Sequence, residues 1–184
     1  MARWLAALVA VFLLTSGPWA MAEQDDPRLD ALFAQLHDAA DEGEARGVEA
    51  RIWAIWMEAP DSSTQLALNV GTQAMNRGVF DSALINFNMV IERDDGFAEG
   101  WNKRATLYFL MGDYEASLRD IVETLAREPR HFGALSGLGL AYLRMENEAA
   151  ALDAFKRALA VHPYLPAAQH HVRTLDEKLN GIRT

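Results

Sequence analysis

Small and apolar residues recur along this chain with a period of 34. Gly78 and Gly112 stand one period apart, as do Phe80 and Tyr114. Ala83, Ser117 and Ala151 share one phase, Phe87, Ile121 and Phe155 another, and Pro129 and Pro163 a third. With the first residue of a unit set at Thr64, Ala98 or Phe132, the fourth position is Ala67, Trp101 or Leu135 and the seventh is Val70, Arg104 or Leu138. The eighth is Gly71, Ala105 or Gly139, and the eleventh is Ala74, Tyr108 or Tyr142. Small residues at the eighth and twentieth positions let the two helices of a unit approach closely, while the large apolar residues fill the space between neighbouring units. Gly78 and Gly112 are expected to close a first helix in a left-handed conformation. Pro129 and Pro163 are expected to stop the second. Two turns depart from the pattern: Glu146-Asn147-Glu148 replaces the Gly-x-aromatic turn of the third unit, and Asp95 stands where the first unit would carry its proline.

The pattern resembles the tetratricopeptide repeat, most closely in AEGWNKRATLYFLMGDYEASLRDIVETLAREP. That resemblance implies an all-α superhelical solenoid, with three units at 64–97, 98–131 and 132–165 inside the stretch 62–165. The phase also runs backward. A unit set at Asp30 puts Phe33, Leu36, Ala40, Trp53 and Trp56 at repeat positions, which predicts a degenerate fourth helix pair over the acidic segment 23–61. Its eighth and twentieth positions are His37 and Glu49, both wrong for close packing, so this pair is expected to dock differently; terminal units of a solenoid are atypical. Pro166 opens the stretch 166–184, where Val172, Leu175 and Leu179 form one stripe, a capping helix for the last face. The expectation is thus about four antiparallel helix pairs and a C-terminal cap.

The beginning of the chain has a different character. Arg3 leads into the apolar run Trp4 to Leu14, followed by the small-x-small sequence Ala20-Met21-Ala22. These are the three regions of a secretory signal peptide, residues 1–22, with cleavage expected after Ala22. The run is shorter than the ~20 residues that a spanning helix needs. No second such stretch follows and no cysteine exists to carry a lipid, so membrane insertion of the mature chain is not expected. Export without disulfides suits a periplasm. The chain holds 17 Lys and Arg against 26 Asp and Glu, a net charge of −9. A polyanion would be repelled by that field, which argues against a nucleic-acid partner.

Catalytic signatures do not emerge. The stretch Ser136 to Tyr142, SGLGLAY, lies in a predicted helix with no strand before it, so its glycines read as helix packing and not as a nucleotide loop. None of the five histidines makes an i, i+3 or i, i+4 metal pair with carboxylate support, so they read as solvated or cap-like, with no metal and no cofactor expected. Trp53 and Trp56 lie on one helix face and fall at core positions, which predicts packing over ligand binding.

The family resemblance implies a concave groove lined by the second, fifth, ninth, twelfth and thirteenth positions. Its candidate partner-binding residues are Thr72, Met75, Asn76, Asn102, Thr106, Phe109, Ser136, Leu140 and Arg144. Such a mixture of amides, hydroxyls and apolar groups suits an extended peptide or a partner helix. Family members that clamp a C-terminal carboxylate use Lys, Asn and Arg at fixed positions, where this chain has Leu68, Thr72 and Gly137 and only Asn102 and Lys103 come near. Lys103 is expected to be solvated. Arg104 replaces the apolar residue of the seventh position and needs a carboxylate, and the family's habit of pairing these positions implies a structural ion pair with Asp120. The chain is similar to periplasmic tetratricopeptide proteins of alphaproteobacteria, which implies a non-enzymatic scaffold or adaptor in a cell-envelope process. The alternative is a binding protein for a small molecule, lipid or envelope polymer fragment, with Met75, Phe109 and Leu140 along an apolar groove.

Overall fold

The computed structural model describes residues 26–181, and the expected signal peptide 1–22 lies outside them. The period of the sequence becomes a period of helices: α1 (Pro27–Asp38), α2 (Glu42–Trp56), α3 (Ser62–Asn76), α4 (Phe80–Arg93), α5 (Ala98–Met111), α6 (Tyr114–Arg127), α7 (Phe132–Arg144), α8 (Glu148–Val161) and α9 (Pro166–Asn180). Helices α3 and α4, α5 and α6, and α7 and α8 form antiparallel pairs, and α4 packs on α5, α6 on α7 and α8 on α9.

Volume complementarity sets the spacing inside each pair. A Cβ added to Gly71 would stand 2.7 Å from the Phe87 ring, and one added to Gly139 would stand 2.6 Å from the Phe155 ring. Where the opposing residue is the smaller Ile121, the eighth position carries a methyl group, Ala105, and both are buried in one cluster. Small against large therefore holds in each of these three pairs, and a close-packed interior leaves no space to reverse it.

The turns repeat too. Val79, Asp113 and Asn147 each donate an N–H to the carbonyl five residues earlier, at 2.9, 3.0 and 2.9 Å. That closure needs a left-handed residue just before, supplied by Gly78 (φ 75°), Gly112 (φ 82°) and, in the third unit, Glu146 (φ 59°). Asn147 then accepts the Ala150 N–H to cap α8. Asp94, at the end of α4, accepts the N–H of Gly96 at 2.9 Å, as Glu128 and His162 accept those of Arg130 and Tyr164 in the units that have the proline, so the first unit keeps the turn without it.

The N-terminal pair breaks the series. Helices α1 and α2 pack on each other, but α2 does not run along α3 as α4 runs along α5. Instead the hairpin lies across the N-terminal ends of α5 and α7 and the turn into α9. One apolar cluster joins Leu29, Leu36, Ile52 and Trp56 to Phe132, with Val161, Tyr164 and Leu165 against it. The side chains of Glu49 and His162 meet here at 3.3 Å, and Tyr164 donates its hydroxyl to the Ala39 carbonyl at 2.8 Å. Trp56 is fully buried and Trp53 partly so, but both pack on the start of α7 as well as within their own hairpin. No helix among the described residues is long and apolar enough to cross a membrane.

Candidate interaction groove

The first helices α5 and α7, with α6 behind them, enclose a cavity of about 210 Å³. Its floor is Ala105, Ser117, Ile121 and Ala134, and its rim is Asn102, Thr106 and Phe109 from α5 with Gly133, Ser136, Gly137 and Leu140 from α7. The hollow comes from what α7 lacks. Gly133 and Gly137 fall one turn apart on one face, and a Cβ at 137 would still stand 3.7 Å from Ile121 Cδ1, an ordinary contact. Gly137 thus opens the cavity, whereas Gly139 serves close helix packing, so one glycine-rich stretch does two jobs. Most of the exposed cavity wall is apolar, and the hydroxyls of Thr106 and Ser136 are turned back onto the carbonyls of Asn102 and Phe132.

One end of the groove is closed by α2. A Cβ on Gly133 would lie 2.7 Å from the Trp53 ring, so the absence of a side chain there seats the indole. Trp56 stacks on His131, ring centroids 4.1 Å apart. Beneath this aromatic layer sits Glu99, fully buried. Its Oε2 accepts from Asn102 Nδ2 at 2.9 Å and lies 3.0 Å from His131 Nε2, while the Lys103 ammonium stands 2.9 Å from Oε1. His131 Nδ1 accepts the Ala134 N–H at 3.1 Å and so caps α7, which places the ring's proton on Nε2, facing the carboxylate. Burial alone would raise the Glu99 pKa, but His131 and Lys103 outweigh it and hold the carboxyl below its usual range.

Several expected site residues meet here and others do not. Asn102, Thr106, Phe109, Ser136 and Leu140 line the cavity. Asn102, however, is itself buried and spends its amide on Glu99. Met75 is only 9% exposed and packs with Leu68, Phe87 and Leu107, because the α3 to α4 pair closes over it; it is core, not groove lining. Thr72 is half-buried, Asn76 and Arg144 are exposed, and none of the three borders the cavity. Lys103 is not solvated: its side chain is 19% exposed, drawn in by Glu99 and lying 5.8 Å from the Trp53 ring. His131 and His162 are completely buried, contrary to a solvated reading, and each accepts a backbone N–H as a cap-like residue does. Among the described residues no cluster of His, Asp and Glu could hold a metal ion.

Arg104 lies on another side of α5, between α4 and α6. Its Nε and Nη2 donate to Asp120 at 2.8 and 2.9 Å, its Nη1 donates to Asn88 at 2.8 Å, and its guanidinium lies 5.0 Å from the Trp101 ring. The hydrogen bonds to Asp120 raise the Arg104 pKa above its usual value. Asn88 is the partner that the sequence did not suggest, since neither other unit has an amide at that position.

Comparison with known proteins gives a consistent picture. The chain is 37% identical over 157 residues to a TPR repeat-containing protein of Rhizobium etli, covering 85% of this chain and 77% of that protein. It is 29% identical over 149 residues to tetratricopeptide repeat protein 37 of Xenopus laevis, of which it spans 9%. No family model matches. Among solved structures, the first TPR domain of Spaghetti (RPAP3) bound to an HSP90 peptide superimposes with a TM-score of 0.62 at 20% identity, over 66% of this chain and 98% of that one. MamA does so with a TM-score of 0.61 at 19% identity, over 76% of this chain and 81% of that one.

Proposed function

The chain belongs to the tetratricopeptide-repeat family, and on that premise we propose that it is an exported, non-enzymatic protein-interaction module. It holds a peptide or partner helix in its concave groove and serves as a scaffold or adaptor in a cell-envelope process of the periplasm. The cavity between α5, α6 and α7 carries this reading. At about 210 Å³ it falls below the roughly 300–1,000 Å³ of small-molecule sites, and its size suits one large apolar side chain of a partner. That favours a peptide over a lipid or a polymer fragment.

The similar Spaghetti domain is bound to an HSP90 peptide, and peptide capture on the concave side is the reading carried over here. The grip would differ from a carboxylate clamp. Asn102 and Lys103, the two residues nearest to clamp chemistry, are both engaged by Glu99. Recognition therefore rests on the apolar anchor and on backbone hydrogen bonds along the groove. The periplasmic location is supported by the leader-like residues 1–22 and by the absence of cysteine.

Photo-crosslinking in the native periplasm from position 106 or 136, both on the cavity rim, tests this. Capture of a defined protein, abolished by Phe109→Ala with Leu140→Ala, is the expected result. Capture of no protein, with a lipid or small molecule seen in native mass spectrometry, would replace the reading with the alternative.

A further inference from the structure

The repeat uses one kind of stacking contact throughout, and the chain carries both halves of another that it never makes with itself. In the later units the third and seventh positions of the first helix are covered by the second helix of the unit before. A Cβ at Gly100 would stand 2.6 Å from Val90, Arg104 bonds Asn88, and Ala134 and Leu138 are 1% and 7% exposed under α6. The same positions on α3 are Leu66 and Val70, which are 64% and 39% exposed. The covering surface is equally regular: Leu118 and Leu125 of α6 pack on the cluster that holds Ala134 and Leu138. On α2 the matching positions are Ala50 and Ala54, both exposed, while Met57, just past the helix, already packs on the chain's own cluster of Leu68 and Phe87. Large residues on α3 thus face no partner, and small ones on α2 offer the hollow they would fill.

These surfaces cannot meet within one chain as it is folded. Bringing α2 alongside α3 would pull Trp56 off His131 and Phe132 and part Glu49 from His162. A second copy requires no such loss. We propose that the chain forms a two-fold dimer in which α2 of each copy stacks on α3 of the other, around an axis near the 57–61 linker. The contact is isologous, each copy giving and receiving one helix, and it leaves the cavity between α5 and α7 open.

The absence of cysteine makes the test clean. Ala54 and Val70 occupy the register of Asn88 and Arg104, which touch at 2.8 Å. The single variants Ala54→Cys and Val70→Cys, mixed and mildly oxidised, are expected to give a disulfide-linked heterodimer. Sedimentation of the unsubstituted chain should show a dimer that Leu66→Asp with Val70→Asp weakens at least tenfold at unchanged helix content. A monomer at every concentration with no crosslink overturns the proposal. So does a chain carrying both cysteines that closes a disulfide within itself, since α2 would then reach its own α3.

Discussion

The imidazole of His131 lies flat on the indole of Trp56, with planes 10° apart and centroids separated by 4.1 Å, across 75 residues of sequence. This stack fastens the N-terminal hairpin to the repeats.

Replacing Trp56 by alanine removes a fully buried side chain and should cost about 3–5 kcal/mol at that interface. Because a solenoid can lose one unit without the others, hydrogen exchange is expected to accelerate across α1 and α2 while α6 and α8 keep their protection. Equal loss in all four helices would mean that the hairpin is part of one indivisible core.

Acid should act through Glu99. A carboxyl whose folded-state pKa lies below its unfolded value contributes stability above that unfolded value, about 4.3, and loses the contribution as pH falls through the folded pKa. The Glu99 pKa is lowered in this way. Glu99→Gln should therefore melt below the parent chain at pH 7, and the gap in Tm should narrow as pH drops below about 4.3. A gap that does not change with pH would show that His131 and Lys103 do not stabilise the charged form.

The Arg104 and Asp120 pair can be isolated by a double-mutant cycle. Arg104→Leu alone strands a carboxylate that is 6% exposed and should cost about 3 kcal/mol in denaturant unfolding. Adding Asp120→Ala should recover most of that loss, because the third unit carries Leu138 and Ala154 at these two positions. Additive losses would show that the two residues do not interact.

Glu146 is the one described residue other than glycine with positive φ. Glu146→Gly relieves a left-handed conformation that costs an L-residue roughly 1–2 kcal/mol. The looser unfolded chain takes back part of this, so a net gain of about 0.5–1 kcal/mol in thermal or urea unfolding is expected. A neutral result would indicate that Glu146 makes up the strain in another way.

The repeats were legible in the sequence because their signal is local and recurs: Gly71 faces Phe87 and Gly139 faces Phe155 at one fixed separation. The helix pairs follow from that alone. The hairpin's destination was not legible, because its partners, Arg130 for Asp30 and Tyr164 for Ala39, lie a hundred or more residues away and follow no period. Only a negative trace existed, in His37 and Glu49 at positions that should be small; Glu49 turns out to face His162. The cavity was half legible. Phe109, Leu140 and Ser136 came from register, but Gly137 read as packing, and only the distance to Ile121 shows that it leaves space. Lys103 was misjudged because Glu99, its partner four residues earlier, stands at the second position of its unit, one of those expected to line the groove, and only the aromatic layer above it shows that it is buried.

The hairpin also changes how the chain reaches its native state. A plain stack of repeats is held by neighbours in sequence, so folding can begin anywhere and spread. Here α1 and α2 emerge ahead of α3 to α9 but find their partners only after residue 164 has followed, a long-range closure that slows folding relative to local contacts. Until then Trp53 and Trp56 have only their own hairpin to rest on. The interval between emergence and closure is when this protein is most open to a chaperone, a protease or a wrong neighbour.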